Sequence, residues 1–108
     1  MLFMVVEQFK NHSARQIYRR SHEKGRMLPD GLYYVDSWVA SNFDRCFQLM
    51  ETEDPSLFNH WIAQWEDLVE FEVIPVVSSE DAARAILHPG KTSRPAGRKK
   101  RGFPHGSV

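Results

Sequence analysis

The chain has 108 residues, 42% hydrophobic and 12% aromatic, which is material for one modest core and leaves no room for a second independent domain. Its zero formal charge hides an asymmetry: Lys91, Arg94, Arg98, Lys99, Lys100 and Arg101 crowd into the last 18 residues without a carboxylate, leaving eight basic against fourteen acidic residues before them. No apolar run nears the roughly 20 residues of a membrane span, the lone Cys46 has no internal disulfide partner, and no signal-like pattern opens the chain, so a soluble protein of the reducing cytoplasm is expected.

Residues 2–9 are β-branched and aromatic, end in a polar cluster, and read as a strand buried on both faces. Ser13 followed by Gln16 has the form of a capping box, which starts a helix near Ala14, and Gly25 is the residue that stops it. Pro29 and Gly31 then mark a turn. Residues 32–39 and 43–51 are strand-like, and Ser41-Asn42 between them reads as a two-residue hairpin loop. That loop pairs Ala40 with Phe43, Trp38 with Arg45, Asp36 with Phe47 and Tyr34 with Leu49, and places Tyr34, Asp36, Trp38, Arg45, Phe47 and Leu49 on one face. Neither face of this hairpin is cleanly polar.

Asp54-Pro55 opens a second helix, and Phe58, Trp61, Ile62, Trp65 and Leu68 at spacings of three and four make it the anchor of the core. Residues 69–77 alternate, with Phe71, Val73 and Pro75 against Glu70, Glu72 and Ile74, and Pro75 argues for an edge position or the end of the pairing. A short terminal helix follows from Ser79 to Leu87, capped by Ser78 or Ser79. The domain is expected to span residues 1–90, and the Gly, Pro, Ser, Lys and Arg of residues 91–108 to form a disordered basic tail.

This order of elements is the split βαβ pattern: an α+β, ferredoxin-like βαββαβ sandwich, with a four-stranded antiparallel sheet and both helices on one face. Which sheet face meets the helices is left open by the pattern. Two helices shield one face only, and the strands are apolar on both, so a second copy of the chain is expected on the open face as a homodimer. The stretches at residues 1–9 (MLFMVVEQF), 25–39 (GRMLPDGLYYVDSWV), 45–54 (RCFQLMETED) and 61–76 (WIAQWEDLVEFEVIPV) resemble an uncharacterised family of small bacterial proteins known only as a domain of unknown function. More distantly, the chain resembles the ferredoxin-like dimeric α/β barrels. Those include cofactor-free monooxygenases, haem-degrading enzymes, small isomerases and simple ligand binders, so the resemblance implies a fold and leaves the reaction open.

The candidate ligand site is Tyr34, Asp36, Trp38, Arg45 and Phe47. Arg45 opposite Trp38 is an anion anchor with aromatic walls, and the plain alternative is a structural ion pair with Asp36 at a dimer interface. A second cluster joins Glu7, Glu70 and Glu72 with His12, if the first and last strands are neighbours. Against it stands the commoner role of Glu70 and Glu72 as solvated charges guarding an edge strand. No HxH, HExxH or CxxC spacing occurs, so neither metal nor cofactor is expected. Cys46 reads as a buried, inert thiol, because adjacent strand residues point to opposite faces and Arg45 does not aim at it. The basic tail lacks an aromatic reading surface and reads as an appendage, so nucleic acid is not expected as a partner.

Two functions follow: a dimeric domain that binds a small organic ligand in an aromatic pocket between sheets, or a small cofactor-free enzyme of the monooxygenase or isomerase kind, with Glu7, His12 or Asp36 as base. A carboxyl with a perturbed pKa inside a cavity separates the second from the first.

Overall fold

The computed structural model describes residues 1–88, so the expectation for the basic tail lies outside the described residues. Strand β1 (Leu2–Phe9) runs through the middle of the sheet, and helix α1 (Ala14–Lys24) follows it. The hairpin of β2 (Tyr33–Val39) and β3 (Arg45–Glu51), helix α2 (Leu57–Ala63) and β4 (Val69–Val76) complete the βαββαβ order. The sheet order is β2-β3-β1-β4, with every neighbouring pair antiparallel, which is the ferredoxin-like arrangement. Pro75 thus falls on an edge strand, where its missing N–H costs no ladder bond. These elements form one compact unit, residues 1–76, and α3 (Ser79–Leu87) belongs to a second that starts at residue 77. Within α3, the Ser78 hydroxyl accepts the Asp81 N–H at 3.0 Å and caps the first turn.

Both helices lie on the face carrying the odd residues of β1. Phe3, Val5 and Phe9 are buried there with Ile17 of α1 and Phe58, Trp61 and Trp65 from α2 and the turn after it. Phe58 meets Phe3 edge-on at 5.1 Å, and Trp61 meets Phe71 at 5.4 Å. Helix α1 begins at Ala14, but the capping box does not form: the buried Ser13 hydroxyl donates to Leu68 O at 3.0 Å instead. The Leu68 carbonyl also accepts the Lys10 N–H at 2.8 Å, so the bond satisfies the buried Ser13 hydroxyl and ties the helix start to the lead-in of β4. Gly25 ends the helix at φ 70°, a left-handed conformation that suits glycine.

The hairpin departs from its expected form. Its loop is residues 41–44, closed by Ala40 N–H to Arg45 O at 2.9 Å and Phe43 N–H to Ala40 O at 2.8 Å. Asn42 Oδ1 accepts the Asp44 N–H at 3.2 Å, and it is Phe43 that takes the positive φ, 64°. The side-chain bond of Asn42 makes the longer loop self-supporting. The register consequently moves by two residues: Trp38 pairs with Phe47 and Asp36 with Leu49. Between Tyr34 and Asp36 the ladder shifts, which leaves Val35 unpaired and resets the alternation. Tyr34 therefore joins the helix-side face opposite Met50, and Tyr33 takes the open face opposite Glu51.

The open face reads in rows across the sheet from β2 to β4: Tyr33, Glu51, Leu2, Val76; then Asp36, Leu49, Met4, Ile74; then Trp38, Phe47, Val6, Glu72; then Ala40, Arg45, Gln8, Glu70. Its middle is apolar and its margins are charged. Tyr33 and Trp38 are 61% and 40% exposed, so large aromatic surface stands on the face that α1 and α2 leave uncovered. Among the described residues, no helix is long and apolar enough to cross a membrane.

Candidate functional site

The alternation of β1 that buries Phe3, Val5 and Phe9 also turns Glu7 toward the helices, where it is only 6% exposed. Its neighbour in register on β3 is Cys46, and Gln48 stands one pair further along on the same face. Gln48 Nε2 donates to Glu7 Oε2, and its Oε1 accepts Arg26 Nε at 3.2 Å. The three side chains make a short chain from guanidinium to amide to carboxyl.

They sit around a cavity of about 90 Å³ between sheet and helices. Glu7, Cys46 and Gln48 form its buried floor; Phe9, Ile17, Trp61 and Trp65 wall it; Tyr18 and Arg26, both exposed, stand at its mouth. The Arg26 backbone is fixed by its carbonyl, which accepts the indole N–H of Trp61 at 3.0 Å and of Trp65 at 3.1 Å. Its guanidinium lies on the ring of Tyr34, 3.6 Å from the centroid. The Tyr34 hydroxyl in turn meets Ser37 Oγ at 2.7 Å, and Ser37 lines the cavity.

Burial dominates the electrostatics of the floor. It pushes the Glu7 carboxyl up to about 7, against the pull of the Gln48 hydrogen bond and the Arg26 charge. It pushes the Cys46 thiol up to about 12, with Glu7 adding in the same direction, so the sulfur stays protonated and is a poor nucleophile. Burial also raises the Tyr18 hydroxyl above its ordinary value, with Cys46 and Glu7 adding to it. At neutral pH the cavity thus holds one carboxyl near half-ionisation, one neutral thiol and one phenol available as a donor.

The residues expected to form the ligand site do not stay together. Asp36, Trp38, Arg45 and Phe47 share the open face, whereas the bulge carries Tyr34 to the opposite one, where it supports Arg26. Arg45 packs over Phe47 at 5.5 Å rather than over Trp38. Asp36 pairs with Leu49, four residues from Arg45 along β3 and so about 14 Å away at strand rise; its carboxylate accepts the Ser37 N–H at 2.8 Å. The expected acidic cluster also separates: β1 and β4 are neighbours, but Glu7 pairs with Phe71, and Glu70 and Glu72 project from the other face. His12 is exposed in the 3₁₀ turn Lys10–His12. Among the described residues, no group of three His, Cys, Asp or Glu side chains is placed to hold a metal ion.

The sequence singles out Glu7 only as a member of an acidic cluster with Glu70, Glu72 and His12; the signal of its burial is parity, since it shares the odd positions of a strand with Phe3, Val5 and Phe9. Gln48, between Cys46 and Met50, carries the same signal. Arg26 carries none, because only the two indoles that hold its carbonyl bring the loop to the cavity.

Fold and site together define a two-layer α+β domain with a buried carboxyl in a small cavity between its layers. The chain belongs to the family described as a domain of unknown function (DUF3303), which matches residues 1–88. No curated protein matches it.

Proposed function

We propose that the domain binds a small carbonyl compound in the helix-side cavity and moves a proton on it without a cofactor, Glu7 being the base. The observation that carries this reading is the burial of the Glu7 carboxyl on a cavity floor, with Gln48 as its hydrogen-bond partner. A carboxyl serving only the fold is more economically placed in solvent or in an ion pair. Its pKa of about 7 suits a general base working near neutrality. The Glu7 carboxylate takes a hydrogen from the carbon beside a carbonyl, and the C–H electron pair moves into an enolate whose oxygen the Tyr18 hydroxyl reaches as donor. The carboxyl then returns the proton, to the same carbon as exchange or to another as isomerisation. No oxidant or metal enters the balance. The aromatic and aliphatic walls keep bulk water from the base.

The test is deuterium uptake from solvent into butanone, followed by proton NMR. The wild type should accelerate it with a rate that rises through about pH 7, and Glu7→Gln should reduce it to the buffer rate; equal rates in the two proteins would end the proposal.

We also place a second copy of the chain on the open sheet face. The half-buried apolar side chains of Met4, Phe47 and Val6 support this, as do the exposed Tyr33 and Trp38. The margin carries Arg45 on one side and Glu70 and Glu72 on the other, so a two-fold copy has opposite charges to set against each other. A monomer mass by light scattering at micromolar concentration would count against it. A buried, protonated Cys46 fits a cytoplasmic protein.

A further inference from the structure

Arg26 is a cation with most of its donors unused. It gives Nε to Gln48 and stacks on Tyr34, yet among the described residues no carboxylate lies within ion-pair distance of it, and its Nη1 and Nη2 have no hydrogen-bond acceptor. A guanidinium presents five N–H donors in a planar fork, so four remain for a ligand. The fork is also held in place. The two indole bonds to the Arg26 carbonyl anchor the backbone, the Tyr34 ring supports one face, and Gln48 takes one edge. Little side-chain freedom is left to lose when a ligand arrives.

Two other cations near α1 are already engaged, and Arg15, Arg19 and Lys24 are exposed on the helix and do not line the cavity. Arg20 spends its fork on Asp67, with bonds of 2.9 and 2.8 Å, and Lys10 gives its ammonium to Glu66 O at 2.7 Å. Among the described residues Arg26 is the one cation that lines the cavity, and its charge acts on Glu7, Tyr18 and Cys46 alike. The planar fork matches a carboxylate through two parallel bonds. A volume of about 90 Å³ is worth roughly three waters, which limits the part of the ligand inside to a few atoms.

We propose that Arg26 is the carboxylate anchor of this site and that its ligand is a short oxo acid, held at the rim by its carboxylate with its carbonyl end directed toward Glu7. This rests on the proton-transfer reading above and adds the substrate class. Charge follows the same division: the anion stays at the exposed mouth beside Arg26, and only the neutral end enters the apolar interior, where a second negative charge beside Glu7 would be costly.

The experiment compares 2-oxobutyrate with butanone, which keeps the ketone and loses the carboxylate, using NMR titration for binding and deuterium uptake for proton transfer. Wild-type protein should bind 2-oxobutyrate at least about tenfold more tightly than butanone. Arg26→Gln should erase that difference in binding, and Arg26→Lys, which restores charge without the fork, should recover part of it. Equal binding of the two probes by the wild type, no binding of 2-oxobutyrate, or unchanged 2-oxobutyrate binding in Arg26→Gln would each overturn the anchor. Glu7→Gln separates the two proposals. If 2-oxobutyrate binding requires Arg26 but neither probe shows Glu7-dependent uptake, the anchor stands and the proton-transfer reading fails. If butanone uptake requires Glu7 but Arg26 makes no difference to either probe, the reverse holds.

Discussion

The two faces of this sheet are built from the same strands and both are largely apolar, yet they hold their polar groups differently. On the helix side the polar groups are few, buried and linked: Glu7, Gln48 and Arg26 form one chain, and each indole of the α2 stripe finds a carbonyl. On the open side the charges stand at the margins, and the middle rows are left apolar and partly exposed. A linked buried network positions a reactive group, because each member has one low-energy arrangement. A charged margin around an apolar centre is the form of a surface that meets another surface.

The sharpest test of this contrast is a matched pair of tryptophan truncations. Trp61→Ala removes a ring that is 2% exposed and one of the two indole bonds to the Arg26 carbonyl, so it should cost about 3–5 kcal/mol in urea unfolding. Trp38→Ala, on the open face, should leave the unfolding of a dilute sample within about 1 kcal/mol and instead remove the dependence of the midpoint on protein concentration. Equal losses in both variants would erase the distinction between the faces.

The next effect is a pH dependence confined to the helix side. Folding raises the Glu7 pKa from 4.5 to about 7, so between these values the folded state holds a proton that the unfolded state has released. Stability contributed by this group is therefore intact below pH 4.5 and lost as pH rises to about 7, by about 3 kcal/mol in all. Glu7→Gln should abolish that slope and be the more stable protein at pH 8. A slope that survives the substitution would show that Glu7 is not its source.

The smallest effect belongs to the Arg20–Asp67 pair. Its bidentate bonds hold the Asp67 carboxyl down to about 2, but Asp67 is exposed. Arg20→Ala should therefore barely move the urea midpoint, and less still in high salt; a clear loss would point to its contact with Trp65 at 5.4 Å.

Much of the fold was legible because its signals are local. The parity of β1, the spacing of Phe58, Trp61 and Trp65, Gly25 as a stop and Pro75 as an edge marker are decided within a few residues. The hairpin was misjudged where a competing local bond decides: Asn42 bonds to Asp44 and lengthens the loop, and one unpaired residue, Val35, sends Tyr34 to the other face. The longer loop moved Arg45 away from Trp38 and Asp36, and the reversal removed Tyr34, since a pleated strand turns every one-residue slip into an exchange of faces.

The chain's own residues determine the βαββαβ order, the edge placement of β4 and the presence of a carboxyl among buried strand positions, because alternation and helical spacing are properties of neighbours in sequence. Tertiary structure alone decides which face the helices cover, and that Arg26, nineteen positions after Glu7, stands at the mouth of the cavity. The physical reason is that Arg26 is held there by indoles 35 and 39 residues away, bonds that exist only once α2 has packed on the sheet.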